Sequence, residues 1–370
     1  MSTGGTEFSG GTEVSGGAEG SAGRLIVRRL RQLLMGRPLA DPTDAVPPLP
    51  PGRLVRVPGR GEIFVRDLAG PDDALPVVLL HGWFASAELN WFGSFGQFAG
   101  ERRVLAVDHR GHGRGIHPVG AFTLEDCAED VAALLHELEV PRALVVGFSM
   151  GGPIGMLLAR RHPDLVAGLV VASTAAVFAT VRVERWRWRL IRVLDWALRL
   201  GLGDRLVARL ASEWGRVDPA FAPYGGWLVA EFTRTSPRAI REAGTALGRF
   251  DARPWLGELT MPAASVITGN DSLVPPSRQE ALARALSAPV ERLDGVDHDA
   301  PIAAVDRFGE AIHRAVDLVA HAVAQDAPVG QRTSEVSARP EASARPEAGA
   351  SVPSSGRRGA GPSGADRSSC

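Results

Sequence analysis

The chain has 370 residues, 45% of them apolar and 22% charged, and a formal charge of −1. This length suits one large domain with an insertion or tails, and the composition excludes a wholly disordered or collagen-like chain. The near-neutral balance excludes a basic footprint over the whole chain, so nucleic acid is not an expected partner. All 41 cationic side chains are Arg, a bias that codon usage explains without any mechanism. Cys127 and Cys370, the only two cysteines, do not make a disulfide framework. No Cys/His cluster has metal-ligand spacing, so neither a metal nor another cofactor is expected. No apolar run approaches the length of a membrane span and no signal-peptide order opens the chain, which points to a cytoplasmic location.

In chain order, residues 1–23 repeat Gly- and Thr-Glu-rich units with almost nothing to bury, and are expected to be a disordered tail. Residues 24–50 hold a basic amphipathic stretch (24–35) followed by a Pro-rich linker. Residues 54–57 and 63–65 read as an antiparallel hairpin. Short apolar runs at 77–80, 104–107, 143–146, 168–171 and 264–268 have the composition of strands buried on both faces. A helix is expected over 123–139, opened by a Thr cap, with Leu124, Cys127, Val131, Leu134, Leu135 and Leu138 on one side and Pro141 beyond its end. Such alternation predicts an α/β fold: a mostly parallel central sheet covered by helices on both faces.

The alternation stops between 177 and 256. About 80 Arg- and Trp-rich residues separate one strand from the next, where connections in such folds run to about 2 to 6. The expected division is a core of 51–176 and 257–325, an inserted helical cap at 177–256, and a second disordered tail at 326–370. In the cap, Arg182, Arg185, Arg189, Arg192 and Arg199 recur on one helical face, opposite Val183, Trp186, Leu190, Val193, Leu194 and Ala197. A solvated outer face explains this pattern; peripheral contact with an anionic membrane is the sharper alternative. Six of the eight tryptophans, Trp186, Trp188, Trp196, Trp214, Trp227 and Trp255, fall in or at the end of the insertion.

Gly147, Phe148, Ser149, Met150 and Gly151 form a G-x-S-x-G motif between a predicted strand and a predicted helix, the context that makes such a serine an exposed nucleophile. A serine hydroxyl needs a base, and the base needs an orienting carboxylate. His298 lies in the loop after the strand predicted at 290–293, and Asp271 lies directly after the strand at 264–268. Ser149, Asp271 and His298 therefore all fall at the C-terminal edge of the sheet, where open parallel sheets gather ligands. Asp297 and Asp299 flank the histidine and are weaker candidates for its carboxylate partner.

Here the chain resembles the α/β-hydrolase superfamily. The resemblance covers most of residues 50–320 and rests on Leu80 to Trp83, Asp108 to Gly113, Gly147 to Gly152, Gly269 to Pro275 and Asp297 to Asp299, in the superfamily's order. It implies Ser149 as nucleophile, His298 as general base and acid, and Asp271 as the residue that orients the imidazole. It also implies an oxyanion hole at the backbone N–H groups of Trp83 and Met150, supported by His81, Gly82, Gly147 and Gly151. His109 and His112 are expected to make loop contacts, and Gly115 stands where many members have Ser. Members that open epoxides or remove halide carry Asp at the elbow, and the Ser here disfavours both. The expected activity is hydrolysis of a small carboxylic ester with an apolar moiety, bound beneath a Trp-, Leu- and Val-rich cap. A carbon–carbon bond hydrolase or an aminopeptidase of the same fold, and a slow-turnover sensor of a small molecule, are the alternatives.

Overall fold

Short Val-rich segments that are apolar on both faces suit strands in the middle of a covered sheet. In a computed structural model, which describes residues 45–178, 224, 227, 228, 230, 231 and 234–326, these segments are β3 Val77–Leu80, β4 Val104–Val107, β5 Ala143–Phe148 and β6 Val166–Ala172, buried at every position. The hairpin β1 Gly52–Val57 and β2 Gly61–Leu68 precedes them, and β7 Ala263–Thr268 and β8 Val290–Leu293 follow. The eight strands form one sheet in the order β1-β2-β4-β3-β5-β6-β7-β8. β2 pairs antiparallel with both neighbours, and every pair from β4 to β8 is parallel. The mostly parallel sheet read from the sequence is therefore present.

Side-chain alternation divides the core in two. Val78, Leu80, Leu105, Val107, Val145 and Val171 pack beneath α2 Leu124–Glu137 and α3 Gly151–Arg161. Val77, Leu79, Val104, Val146, Val170 and Val266 face α1 Ala87–Trp91 and the long α7 Val305–Asp326. β5 and β6 run beyond the expected 143–146 and 168–171, because the flanking residues stay buried and paired: Phe148 lies opposite Ala172, and Val166 opposite Ala143 across a register shift. α2 is shorter than expected at its end: Leu138 caps it and Glu139 turns to φ 54°. Its start has a complete capping box, in which Thr123 and Asp126 each accept from the other's backbone N–H.

Between β6 and β7 the chain leaves the sheet. An isolated antiparallel bridge joins Val177 to Asp251, and the Ala252 N–H donates to the Ala176 carbonyl at 2.8 Å. Within this segment lies α4 Pro237–Leu247, started by the Ser236 side chain accepting from the Ala239 N–H. α5 Pro276–Ala285 and the short α6 Ala300–Ala303 complete the described helices that surround the site. The tails expected at 1–23 and 326–370, the basic stretch at 24–35 and the arginine face of 182–199 lie outside the described residues, except Asp326, which is the last residue of α7. Among the described residues, no helix is long and apolar enough to cross a membrane.

Candidate active site

β5 ends in a turn so tight that its serine adopts φ 51°, a conformation that costs on the order of 1 to 3 kcal/mol outside glycine and persists only where neighbours enforce it. The neighbours are identifiable. The Ser149 N–H donates to the Ala172 carbonyl of β6 at 2.9 Å, and the Thr174 hydroxyl donates to the Ser149 carbonyl at 2.7 Å. A Cβ at Gly147 would lie 2.4 Å from the Gly151 carbonyl oxygen, and one at Gly151 would lie 2.1 Å from that of Leu80. The two motif glycines are thus demanded by the close passage of strand, turn and helix.

This strain lifts Ser149 Oγ to His298, whose Nε2 is 2.8 Å away. The other ring nitrogen, Nδ1, is 2.8 Å from Asp271 Oδ2. Asp271 is buried and saturated with donors. Its Oδ1 accepts from the Leu273 and Val274 N–H groups at 2.9 and 2.7 Å. Its Oδ2 also accepts from the Thr268 hydroxyl at 2.7 Å and the Gln279 amide at 3.0 Å. With this many donors turned on it, the Asp271 carboxyl is fixed and can only accept from His298, so the proton between them belongs on Nδ1. Nε2 is then left as an acceptor for the serine hydroxyl.

The residues flanking the histidine are directed elsewhere. Asp297 accepts from the backbone N–H of Ser272 at 2.7 Å and of His298 at 2.6 Å, and these bonds hold its carboxyl below the usual range despite its partial burial. Asp299 borders the cavity, and burial, with Asp297 beside it, raises its carboxyl. Among the described residues, no hydrogen bond joins either side chain to the imidazole.

The loop after β3 forms the facing wall. Met150 precedes α3, and among the described residues no carbonyl accepts from its N–H. Trp83 follows Gly82, and a Cβ on Gly82 would lie 3.2 Å from the Ser149 Cβ, which places this backbone against the serine. Gly82 N–H donates to Asn90 Oδ1 at 2.8 Å. His81 is wholly buried and bridges two loops: Nδ1 donates to the Gly82 carbonyl at 2.8 Å, and Nε2 accepts from the His109 N–H at 3.0 Å. Its ring lies 4.3 Å from that of His109 and 5.5 Å from that of His112. Burial keeps all three neutral, aided at His81 by the rings of His109 and His112 and at His109 by that of His112; His109 is pushed down to about 3, His112 to about 4 and His81 well below its ordinary value. A Cβ at Gly115 would lie 2.4 Å from the His109 carbonyl oxygen, so this turn is closed too tightly for the Ser found in many α/β hydrolases.

Above Ser149 and His298 lies a cavity of about 420 Å³, walled by Ala85, Leu89, Phe148, Leu273, Pro301 and Ile302. Of the insertion's tryptophans, the two described ones do not line this cavity: Trp227 packs on Phe92, and Trp255 packs on Phe250 and under Arg160. The apolar lining among the described residues comes from core loops, and Trp186, Trp188, Trp196 and Trp214 lie outside the described residues. Sequence patterns give no sign of the contacts made by Thr268, Asn90 or Thr174. The one available hint was Gln279, a polar residue with apolar Leu282 and Ala283 at the next helical turn.

Comparison with known proteins agrees with this fold. Residues 76–303 match the family model of the alpha/beta hydrolase fold. The chain is 32% identical over 251 residues to the pimeloyl-[acyl-carrier protein] methyl ester esterase of Sodalis glossinidius, covering 65% of this chain and 83% of that one. It is 28% identical over 185 residues to 3-oxoadipate enol-lactonase 2 of Acinetobacter baylyi, covering 49% of this chain and 66% of the relative. Among solved structures, the enol-lactonase of Burkholderia xenovorans superposes with a TM-score of 0.60 at 26% identity, covering 72% of this chain and all of that one. By its family and its relatives, the chain belongs to the α/β hydrolases.

Proposed function

We propose that the protein hydrolyses carboxylic esters with an apolar moiety through an acyl-enzyme intermediate. The observation that carries this reading is His298, which bridges Ser149 Oγ and Asp271 Oδ2 at 2.8 Å each. Nε2 takes the hydroxyl proton as Oγ attacks the ester carbonyl, and the imidazolium formed is stabilised by Asp271. The oxyanion is held by the N–H groups of Met150 and Trp83, each worth about 3 to 4 kcal/mol in the transition state. His298 then gives its proton to the leaving alkoxide, and a water activated by the same nitrogen releases the acid. The apolar cavity supports a neutral hydrocarbon part in the substrate, and relatives named as a methyl ester esterase and an enol-lactonase support acyl transfer to water. No cofactor enters this scheme.

The test is covalent labelling with a fluorophosphonate followed by turnover of p-nitrophenyl esters of increasing chain length. Labelling at Ser149 with turnover that rises with acyl length supports the reading. Wild-type protein that neither labels nor turns over would overturn it and leave the sensor alternative.

A further inference from the structure

The loop from Gly82 to Ala87 carries Trp83, and its backbone is under strain: Phe84 has φ 65°. The core holds this loop at its two ends, with the Gly82 N–H on Asn90 and the Ala87 N–H on Asp108 Oδ1 at 2.7 Å. Between those ends the loop's side chains are held by the insertion. The Trp83 indole Nε1 donates to the Ile240 carbonyl of α4 at 2.8 Å, across 157 residues of sequence. The same indole lies flush on α4, where a Cβ at Gly244 would fall 2.4 Å from Trp83 Cζ2. Ser86, the cap of α1, donates its hydroxyl to Glu231 Oε2 at 2.8 Å.

Glu231 is fully buried, yet it is charge-balanced. It pairs with Arg114 at 2.7 Å and Arg234 at 2.7 Å, and Arg114 in turn shares Glu88 with Arg66. An ion cluster of this kind is a weak source of stability, because desolvation offsets most of the attraction. It does fix position, since Glu231, Arg114, Glu88 and Arg66 each make at least two directional side-chain bonds. The glycine at 244 has the same character. Ala would favour the helix by about 1 kcal/mol, and the space that a methyl would need is filled by the Trp83 ring.

We infer that the insertion positions the oxyanion loop, with Glu231 and Gly244 as positioning residues that set the Trp83 N–H through Ser86 and the indole ring. The inference rests on the proposed role of Trp83 in stabilising the oxyanion. It makes the placement of the insertion a determinant of kcat as well as of substrate entry.

The experiment compares wild type, Gly244→Ala and Glu231→Gln as full chains. The readouts are kcat and KM on a soluble p-nitrophenyl ester, and inhibition by a trifluoromethyl ketone, whose hemiketal oxygen occupies the oxyanion site. A displacement of about 1 Å in a positioning group costs on the order of 10²-fold, so kcat is expected to fall about ten- to a hundredfold. KM should stay within about twofold, and ketone affinity should weaken by the same factor as kcat. In a Trp83→Phe background, which lacks the ring atoms that the methyl meets, Gly244→Ala should cost less than about twofold, because contacting residues couple. If Gly244→Ala does not fold, the isosteric Glu231→Gln carries the kcat and ketone comparison alone.

A folded variant with wild-type kcat, a loss confined to KM, or an equal cost of Gly244→Ala in both backgrounds overturns the inference. Wild type that turns over and labels at Ser149, with variants unchanged, removes only the positioning role. Wild type that does neither removes the reading of the site itself.

Discussion

Replacing Asp271 by Asn exchanges one carboxylate oxygen for an NH₂ in a place where every neighbour is a donor. If the new nitrogen takes the Oδ1 position, it meets the Leu273 and Val274 backbone N–H groups at 2.9 and 2.7 Å, which cannot rotate away. If it takes the Oδ2 position, it meets the Thr268 hydroxyl, the Gln279 amide and His298 Nδ1. The Thr268 hydroxyl can turn to Ser173 Oγ, 3.1 Å away, so the second orientation is the less costly. It requires Nδ1 to accept, which moves the imidazole proton to Nε2, where it faces the serine and cannot take its proton. The wrong tautomer costs about 10⁴-fold in kcat in a Ser-His-Asp arrangement, close to 5.4 kcal/mol of activation free energy at 1.36 kcal/mol per tenfold. One donor is also left crowded against the Gln279 amide, at a stability cost of about 1 to 3 kcal/mol. Steady-state kinetics on a p-nitrophenyl ester and a urea melt measure the two losses separately. Asp297→Asn and Asp299→Asn should each keep kcat within about tenfold, since neither carboxyl is bonded to the ring. Asp271→Asn with near-wild-type kcat, or Asp299→Asn as the crippling change, would refute the assignment.

Ser149→Ala should abolish fluorophosphonate labelling and lower kcat by on the order of a millionfold, with circular dichroism unchanged. Gln279→Leu should lower kcat by about tenfold through loss of a bond to Asp271 rather than to substrate, with KM unchanged. Gly151→Ala should yield little folded protein on expression, because its methyl would enter the Leu80 carbonyl. Stability should fall as pH drops from 6.5 to 4: unfolded histidines bind protons near 6.5, whereas His109 and His112 are held to about 3 and 4. Asp108, pushed up to about 6 by burial, acts in the opposite sense by protonating first in the folded state, so stability that it contributes at pH 4 is lost toward pH 6. The two histidines outweigh it, leaving a net loss on the order of 4 kcal/mol by pH 4; urea melts at pH 7 and pH 4 measure it.

The sheet was legible because burial on both faces leaves a signature in composition. β3 and β4 were read to the residue from runs such as Val-Val-Leu-Leu, while β5 and β6 were read short because Phe148 and Val166 border turn residues that hide their pairing. The roles proposed for Ser149 and His298 were legible for a chemical reason: a nucleophile needs glycine neighbours at the elbow, and its base must lie at the same sheet edge. The supports of Asp271 were not. Thr268 and Gln279 are ordinary residues whose function exists only once β7 and α5 bring them within 3.0 Å of one carboxylate. Patterns of period 2 and 3.6 report which side of an element faces the core, and a bond across 145 residues, such as Ser86 to Glu231, leaves no periodic trace.

That division has a physical basis. The two hydrophobic layers determine where the strand ends lie, but non-directional packing cannot hold a reacting oxygen to within half an ångström. At this site the precision comes from directional bonds between distant segments: Thr174 on the Ser149 carbonyl, Gln279 on Asp271, His81 between Gly82 and His109, and Trp83 on α4. The left-handed backbone of Ser149 and Phe84 is tolerated because such bonds flank each of them on both sides. Cutting one bond should therefore lower kcat more than it lowers the melting temperature, whereas trimming a core side chain such as Leu79 or Val146 should do the reverse.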